Sequence, residues 1–412
     1  MIRPMLIAAH VRLRRCLLLV MLPLLLTGCW DRREIEERAV ILAISVDLAK
    51  PGDVSKESDV AHLRKVFPTP EQPLIRIAAQ IAVPGRIPLG PGDGGGGNTK
   101  PVWVLEAVGH TIDDAVMTMQ QQVSDPLFYG HLRVIVVSEA VARSGMNSLN
   151  DYLRRHPEVR RLAWMAVTKG NAASFMKTAP ELERVPALYL LSMFDHAVEM
   201  GKYPNEFVGK FWSKMSSLGR EPNLPYLKAL KDGNIEISGL AYFKGEYLAG
   251  VTKPLEIGSY MAITGEKKGG YSAYAALSGT NTTVMFKSTS RQARRAIAFK
   301  DGRPLAKVHI SIEGDIQEKS LVDATPLDHG YILEKLQVEL QEDAKRSYEQ
   351  LIHDTQKAGS DIFGFGELIR AKHPSYWNRN IKTKEAWQEQ YKELATEVTC
   401  DINIRRIGMK AK

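Results

Sequence analysis

The 412 residues carry 55 Lys and Arg against 47 Asp and Glu, for a formal net charge of +8, and include only three cysteines. That length is enough for two or three domains with buried cores. The basic excess is small and dispersed, which argues against a nucleic-acid-binding protein, and three cysteines exclude a disulfide framework.

The N-terminus reads as an export signal. Arg3, Arg12, Arg14 and Arg15 precede or flank an apolar run from Cys16 to Leu26, with no acidic residue before Asp31. The run is too short for a membrane-spanning helix, which needs roughly 20 apolar residues. Leu26-Thr27-Gly28-Cys29 follows in the form of a lipoprotein signal-peptidase box. Small residues fit a narrow protease site, the Cys29 thiol accepts diacylglycerol, and its freed amine becomes the mature N-terminus. Residues 1–28 are therefore predicted to be a signal peptide, with Cys29 the lipid attachment site and the body held outside the membrane. Cleavage removes four arginines and no acid. The mildly basic body gains a little attraction to anionic lipid. Cys16 leaves with the signal, so Cys400 is the one thiol left in the body.

In the body, Val40, Leu42, Ile44 and Val46 alternate as one face of a half-buried strand, and Ile75 to Val83 repeat the pattern. Pro84 to Lys100, with Gly94 to Gly97, reads as a loop, and no lysine-serine follows to make it a phosphate cradle. A strand near Val102 to Gly109 leads into a helix capped by Thr111, ahead of Asp113 and Asp114. Leu132 to Val137 has the continuous apolar character of a strand covered on both faces. Helices are predicted over Asn147 to Arg155 and Asn171 to Lys177, with a strand from Leu162 to Thr168 between them. These make a mixed N-terminal domain, residues 29–186.

Residues 187–280 read as a linker helix and a smaller β-rich unit, with strands at Ile235 to Phe243, Tyr247 to Val251 and Ser259 to Thr264. Residues 281–412 read as a third α/β domain. Its strands run through Thr283 to Lys287, Ala293 to Phe299 and Leu305 to Glu313. Ile332, Leu336, Leu340, Ala344, Tyr348 and Leu351 then recur on one face of a long helix closed by Gly359. Short helices follow Asp361 and Thr383, and Val398, Cys400, Ile402 and Ile404 form a closing strand. The predicted class is α/β (α+β): three mixed domains with largely antiparallel sheets and a long helix packed on the last.

The segment Gly28 to Asp47, GCWDRREIEERAVILAISVD, closely resembles the start of the mature Ger(x)C proteins, lipoprotein C subunits of nutrient germinant receptors in endospore-forming bacteria. The likeness continues through His110 to Ala115, Gly130 to Ile135, Arg155 to Arg160 and Gly239 to Gly245. At the tail it includes Asp361-Ile362-Phe363-Gly364-Phe365-Gly366, Pro374, Trp377, Trp387 and Arg405 to Gly408. His110, and His156 where the family more often has Asp, are departures. The resemblance implies a three-domain α/β fold and anchorage on the outer leaflet of the spore's inner membrane. It implies germinant receptor A and B subunits as partners, and no catalysis.

Two family-signature groups invite a functional reading. Trp30, Asp31, Arg33 and Glu34 follow the lipid site and fit either an interfacial tether or a solvated linker. Asp361, Phe363, Gly364, Gly366, Trp377 and Trp387 could form a binding surface. Core packing explains them more economically, with Asp361 capping a helix and the glycines allowing approach to the long helix. The ten histidines show no metal-ligand spacing, and H-E-x-x-H, G-x-S-x-G and P-loop patterns are absent. The reading is therefore a non-enzymatic, metal- and cofactor-free accessory subunit. The alternatives are a lipid-anchored nutrient-binding protein, which needs an apolar pocket with convergent polar groups, and a tethered cell-wall hydrolase.

Overall fold

Alternating β-branched residues make β1 (Ala39–Leu48), but neighbours cover it on both faces. Ile41 and Ala43 are as buried as Ile44 and Val46, so it is an interior strand rather than a half-buried one. The computed structural model describes residues 34, 37–57, 73–86, 100–178, 183–231, 233–320 and 330–407. The signal peptide, Cys29, Trp30, Asp31, Arg33 and the Gly94 to Gly97 loop lie outside the described residues.

β1 is followed by β2 (Ile75–Ala82) and β3 (Val102–Gly109). Helix α1 (Ile112–Gln120) starts where Thr111 accepts the Asp114 N–H. Next come β4 (Leu127–Phe128), β5 (Val134–Ser138), α2 (Glu139–Ser144), α3 (Asn147–Arg155) and β6 (Trp164–Thr168). Beyond a 3₁₀ turn, Ala172–Met176, lie α4 (Pro186–Glu199) and α5 (Val208–Met215). Then come β7 (Asn223–Ala229), β8 (Ile235–Lys244) and β9 (Tyr247–Val251). These strands form one sheet in the order β3-β2-β1-β5-β6-β7-β8-β9, with β4 paired to the start of β1. Its centre, β1 to β7, is parallel and its wings are antiparallel.

The strands at Ile235 to Phe243 and Tyr247 to Val251, expected in a separate middle unit, instead extend the first sheet through β7, an unexpected strand that pairs with both β6 and β8. Turn glycines reveal a hairpin but not the sheet that receives it. The segment expected as a strand at Ser259 to Thr264 is helix α6 (Glu256–Thr264), ending at Gly265 with φ +81. Five consecutive residues, Ser259 to Ile263, are buried, so no 3.6-residue apolar stripe is visible to set it apart from a buried strand.

The second sheet runs β10 (Ser272–Ala276), β11 (Thr283–Lys300), β12 (Arg303–Lys319) and β13 (Ala395–Ile407). β12 and β13 pair in parallel and the others antiparallel. Between β12 and β13 lie α7 (Gly330–Ala358), α8 (Phe365–Lys372), α9 (Pro374–Asn380) and α10 (Lys384–Lys392). The predicted face of α7, including Leu336, Leu340, Tyr348, Leu351 and Ile352, is buried, and Gly359 ends the helix at φ +66. It packs on β13, where Gln337 Oε1 also accepts the Ile404 N–H at 2.9 Å. One apolar core is continuous from Val134, Val136 and Ala166 of the first sheet to Val308, Ile310 and Leu336 beside the second. A separate core fills the opposite face of the first sheet under α1, α3 and α5.

Leu336→Ala should lower unfolding stability by about 2–5 kcal/mol in urea titration, the range for a fully buried leucine, whereas charge reversal at exposed Glu334 or Lys345 should leave it almost unchanged. Cys400 packs among the same side chains, and burial pushes its thiol up to about 12. Because the thiolate is the nucleophile, alkylation at pH 8 should be slower in the native chain than in the unfolded one by on the order of a thousandfold.

Candidate functional site

The tail-motif residues converge at one buried junction. Asp361 sits in the turn between α7 and α8 with 1% of its surface exposed. Its Oδ1 accepts the Gly364 N–H at 2.8 Å, and its Oδ2 accepts the Gly366 N–H at 2.8 Å and the Trp387 indole N–H at 3.1 Å. Burial pushes its pKa above the usual carboxylate value, against the pull of these donors. Asp361 serves the helix start from outside it. The N-cap position belongs to Gly364, whose φ of +80 is a left-handed conformation that glycine adopts without strain.

Gly366 allows close approach, but not to α7. A Cβ there would lie 2.7 Å from the Gly219 Cα and would collide with Trp387. The rings complete the packing: Phe363 against Tyr260 at 6.0 Å between centroids, and Trp377 against Trp387 at 6.0 Å. Glu34 is described and exposed, away from this junction in sequence and accessibility.

The partner of the tail motif is the segment between α5 and β7. Glu221 donates its N–H to the Asp361 carbonyl at 2.8 Å. Gly219 N–H reaches Glu367 Oε1 at 2.9 Å, while Glu367 N–H returns to the Gly219 carbonyl at 3.0 Å. Arg220 Nε donates to Ile362 O at 3.2 Å, and Arg295 Nη1 to Phe363 O at 2.7 Å. The Glu221 carboxylate accepts from Gly245 N–H at 2.8 Å and Gln388 Nε2 at 2.7 Å, and pairs with Lys384 at 3.1 Å. Burial raises its pKa, opposed chiefly by Lys384. Arg220, Glu221, Arg295, Lys384 and Gln388 were not singled out in the sequence. They lie up to about 170 residues from their partners, and no local spacing announces them.

A second buried polar group adjoins the first. Lys214 and Glu206 form an ion pair, and Lys214 Nζ also donates to Asn223 Oδ1 at 2.8 Å. Arg220 links the two groups by donating to the Tyr260 hydroxyl at 3.3 Å. At the carboxyl ends of the parallel strands, where open α/β sheets usually take ligands, the Asp47 carboxylate accepts the Ala172 and Ala173 N–H groups at 2.7 and 2.9 Å. Among the described residues no cluster of three or more His, Cys, Asp or Glu is placed to hold a metal. What the Asp361–Glu221 junction does chemically is join, since its donors and acceptors are matched to one another, whereas in the adjoining group Glu206 Oε2 and Asn223 Nδ2 have no partner.

These features define a two-sheet α/β protein whose halves are locked by a buried carboxylate. Residues 31–229 match the spore germination protein N-terminal domain, and residues 238–408 match the spore germination B3/GerAC-like C-terminal domain. The chain belongs to this Ger(x)C family of spore germination proteins. It is 27% identical over 409 residues to YfkR of Bacillus subtilis (strain 168), covering 97% of each chain. It is 26% identical over 317 residues to the spore germination protein GerQC of Bacillus cereus, covering 77% of this chain and 85% of that one. The crystal structure of the GerBC protein shares the fold, with a TM-score of 0.54 at 17% identity over 82% of this chain and 96% of that one.

Asp361→Asn turns an amide N–H₂ toward existing donors and should cost about 2–4 kcal/mol of stability by urea unfolding. Arg370→Ala, at an exposed ion pair with Glu367, should cost under about 1 kcal/mol in the same assay.

Proposed function

We propose that this chain is the lipid-anchored accessory C subunit of a spore germinant receptor, needed for nutrient-triggered germination and acting through contacts with the A and B subunits at the membrane. The observation that carries the reading is the match of both germination-protein domains along nearly the whole body. The geometry supports a role in assembly: the tail-motif residues are engaged inside the junction, so partners would meet the outer surfaces.

No helix among the described residues is long and apolar enough to cross a membrane, and the proposal puts attachment at the lipid on Cys29. β1 starts shortly after Cys29, at the end of the sheet where Arg133 and Arg160 lie near His131. Burial and these two arginines hold the imidazole pKa below its ordinary value. Arg161 and Leu162 beside them are exposed, Leu162 by 71%. A basic end studded with an apolar side chain suits an anionic bilayer face. On this reading the body sits on the outer leaflet of the spore's inner membrane.

The test is Cys29→Ala in a spore former. Lipid attachment supplies most of the membrane affinity, at about 0.8 kcal/mol per buried CH₂. The variant should accumulate as uncleaved precursor or released body, and spores should respond weakly to nutrients. A variant that is cleaved, abundant and still in the membrane fraction would refute the anchor.

A further inference from the structure

Between α6, the β10–β11 hairpin and α7 lies a cavity of about 180 Å³. Ala262, Phe286, Ile312, Leu340, Ala344 and Ile402 give it a mainly apolar wall. Its mouth is flanked by Leu255 and Tyr274, exposed by 51% and 73%. An apolar cavity of about 150 Å³ is large enough to take benzene, so the space suits one small organic molecule.

One wall residue does not fit an empty apolar cavity. Arg291, on β11, is 2% exposed. Its Nη2 donates to the Gly201 carbonyl at 3.1 Å and to the Lys268 carbonyl, which fixes the guanidinium in place. Its Nε–H has no partner, and among the described residues no carboxylate forms an ion pair with Arg291. Burial pulls its pKa down, but a guanidinium stays charged in a protein. A buried cation with no ion-pair partner is costly, and Glu266, the acid that bears on Arg291, is exposed and forms no ion pair with it. The other polar wall groups do not supply one. Ser259 and Ser347 hydrogen-bond to each other at 2.8 Å. Asp343, at the exposed rim, pairs with Arg346.

We propose that this cavity binds a small carboxylic acid with an apolar body, its carboxylate on the Arg291 guanidinium and its hydrocarbon against α6, α7 and the sheet. The chemistry selects the class. A single guanidinium matches a carboxylate monoanion. A phosphate dianion would bring a second charge with no further cation among the lining residues to meet it. With Asp343 already paired, no carboxylate is free in the wall for an ammonium group, so amine-free acids fit better than amino acids. The inference goes beyond subunit assembly and gives the chain a ligand of its own.

Benzoate, benzamide and benzylamine share a ring and differ in charge, so they separate this proposal from simple apolar filling. In calorimetric titrations of the full mature chain in detergent, benzoate should bind on the order of tenfold or more tightly than benzamide, the gap expected for a charge-assisted contact. Benzylamine should show no saturable binding. Ala344→Phe, which fills the cavity from α7, should abolish benzoate binding while the melting temperature in buffer is kept. Arg291→Lys should weaken benzoate and leave benzamide unchanged. If that variant fails to fold because Gly201 and Lys268 lose their donor, the ligand series on the unaltered chain still decides. Equal binding of all three probes, no benzoate binding at millimolar concentration, or benzoate binding that survives Ala344→Phe would each overturn the proposal.

Discussion

A carboxylate taken out of water is tolerated only where donors replace the lost hydration. At Asp361 those donors come from the start of α8 and from the Trp387 indole on α10, while the residue's own carbonyl holds the Glu221 N–H. The N-terminal end of α8 adds the positive pole of its helix dipole. Arg220 and Arg295 lie close enough to feel the charge, and both are tied to neighbouring backbone carbonyls of the same turn. The helices α7, α8 and α10, the segment before β7 and strand β11 therefore meet around one buried group. Removing any donor leaves part of the buried carboxylate uncompensated, which makes the junction intolerant of small changes.

This arrangement changes how the two family segments relate. The boundary between them, 229 to 238, falls at the turn and first residues of the β7–β8 hairpin. Most of β8 and all of β9 belong to the second segment, yet they complete the first sheet. The continuous apolar core reinforces the link. Interfaces between domains commonly permit relative motion. Here a shared sheet, a shared core and a polar lock act together, so the two segments are not separable folding units.

Much of the local structure was legible because its causes are local. Thr111 and Thr383 cap helices through hydroxyls three residues from the bonded N–H groups. The α7 stripe and the alternation of Val398 and Ile402 report directly which face is buried. The misread α6 is buried nearly all round, which erases the pattern that separates helix from strand. The candidate site was half visible. Asp361, Gly364 and Gly366 announce a helix start and a close approach. Their actual partners, Gly219 and the Arg220–Glu221 pair, sit more than a hundred residues upstream in a loop with no periodicity. Arg291 was hidden for the same reason: as one basic residue in an alternating strand, it looks solvent-facing until the register of β11 is known.

The parallel pairing of β12 with β13 joins positions roughly 90 residues apart, as His309 and Thr399 illustrate. During synthesis β12 and its hairpin partner β11 exist long before β13 does. Until then β12 presents an open row of amides and carbonyls beside an uncovered α7 face, the condition that invites pairing with another chain. High sequence separation also delays productive closure relative to local collapse. The last described strand is thus a latch that closes late. The interval before it closes is a window of vulnerability in which the chain's fate depends on being kept apart from its own copies.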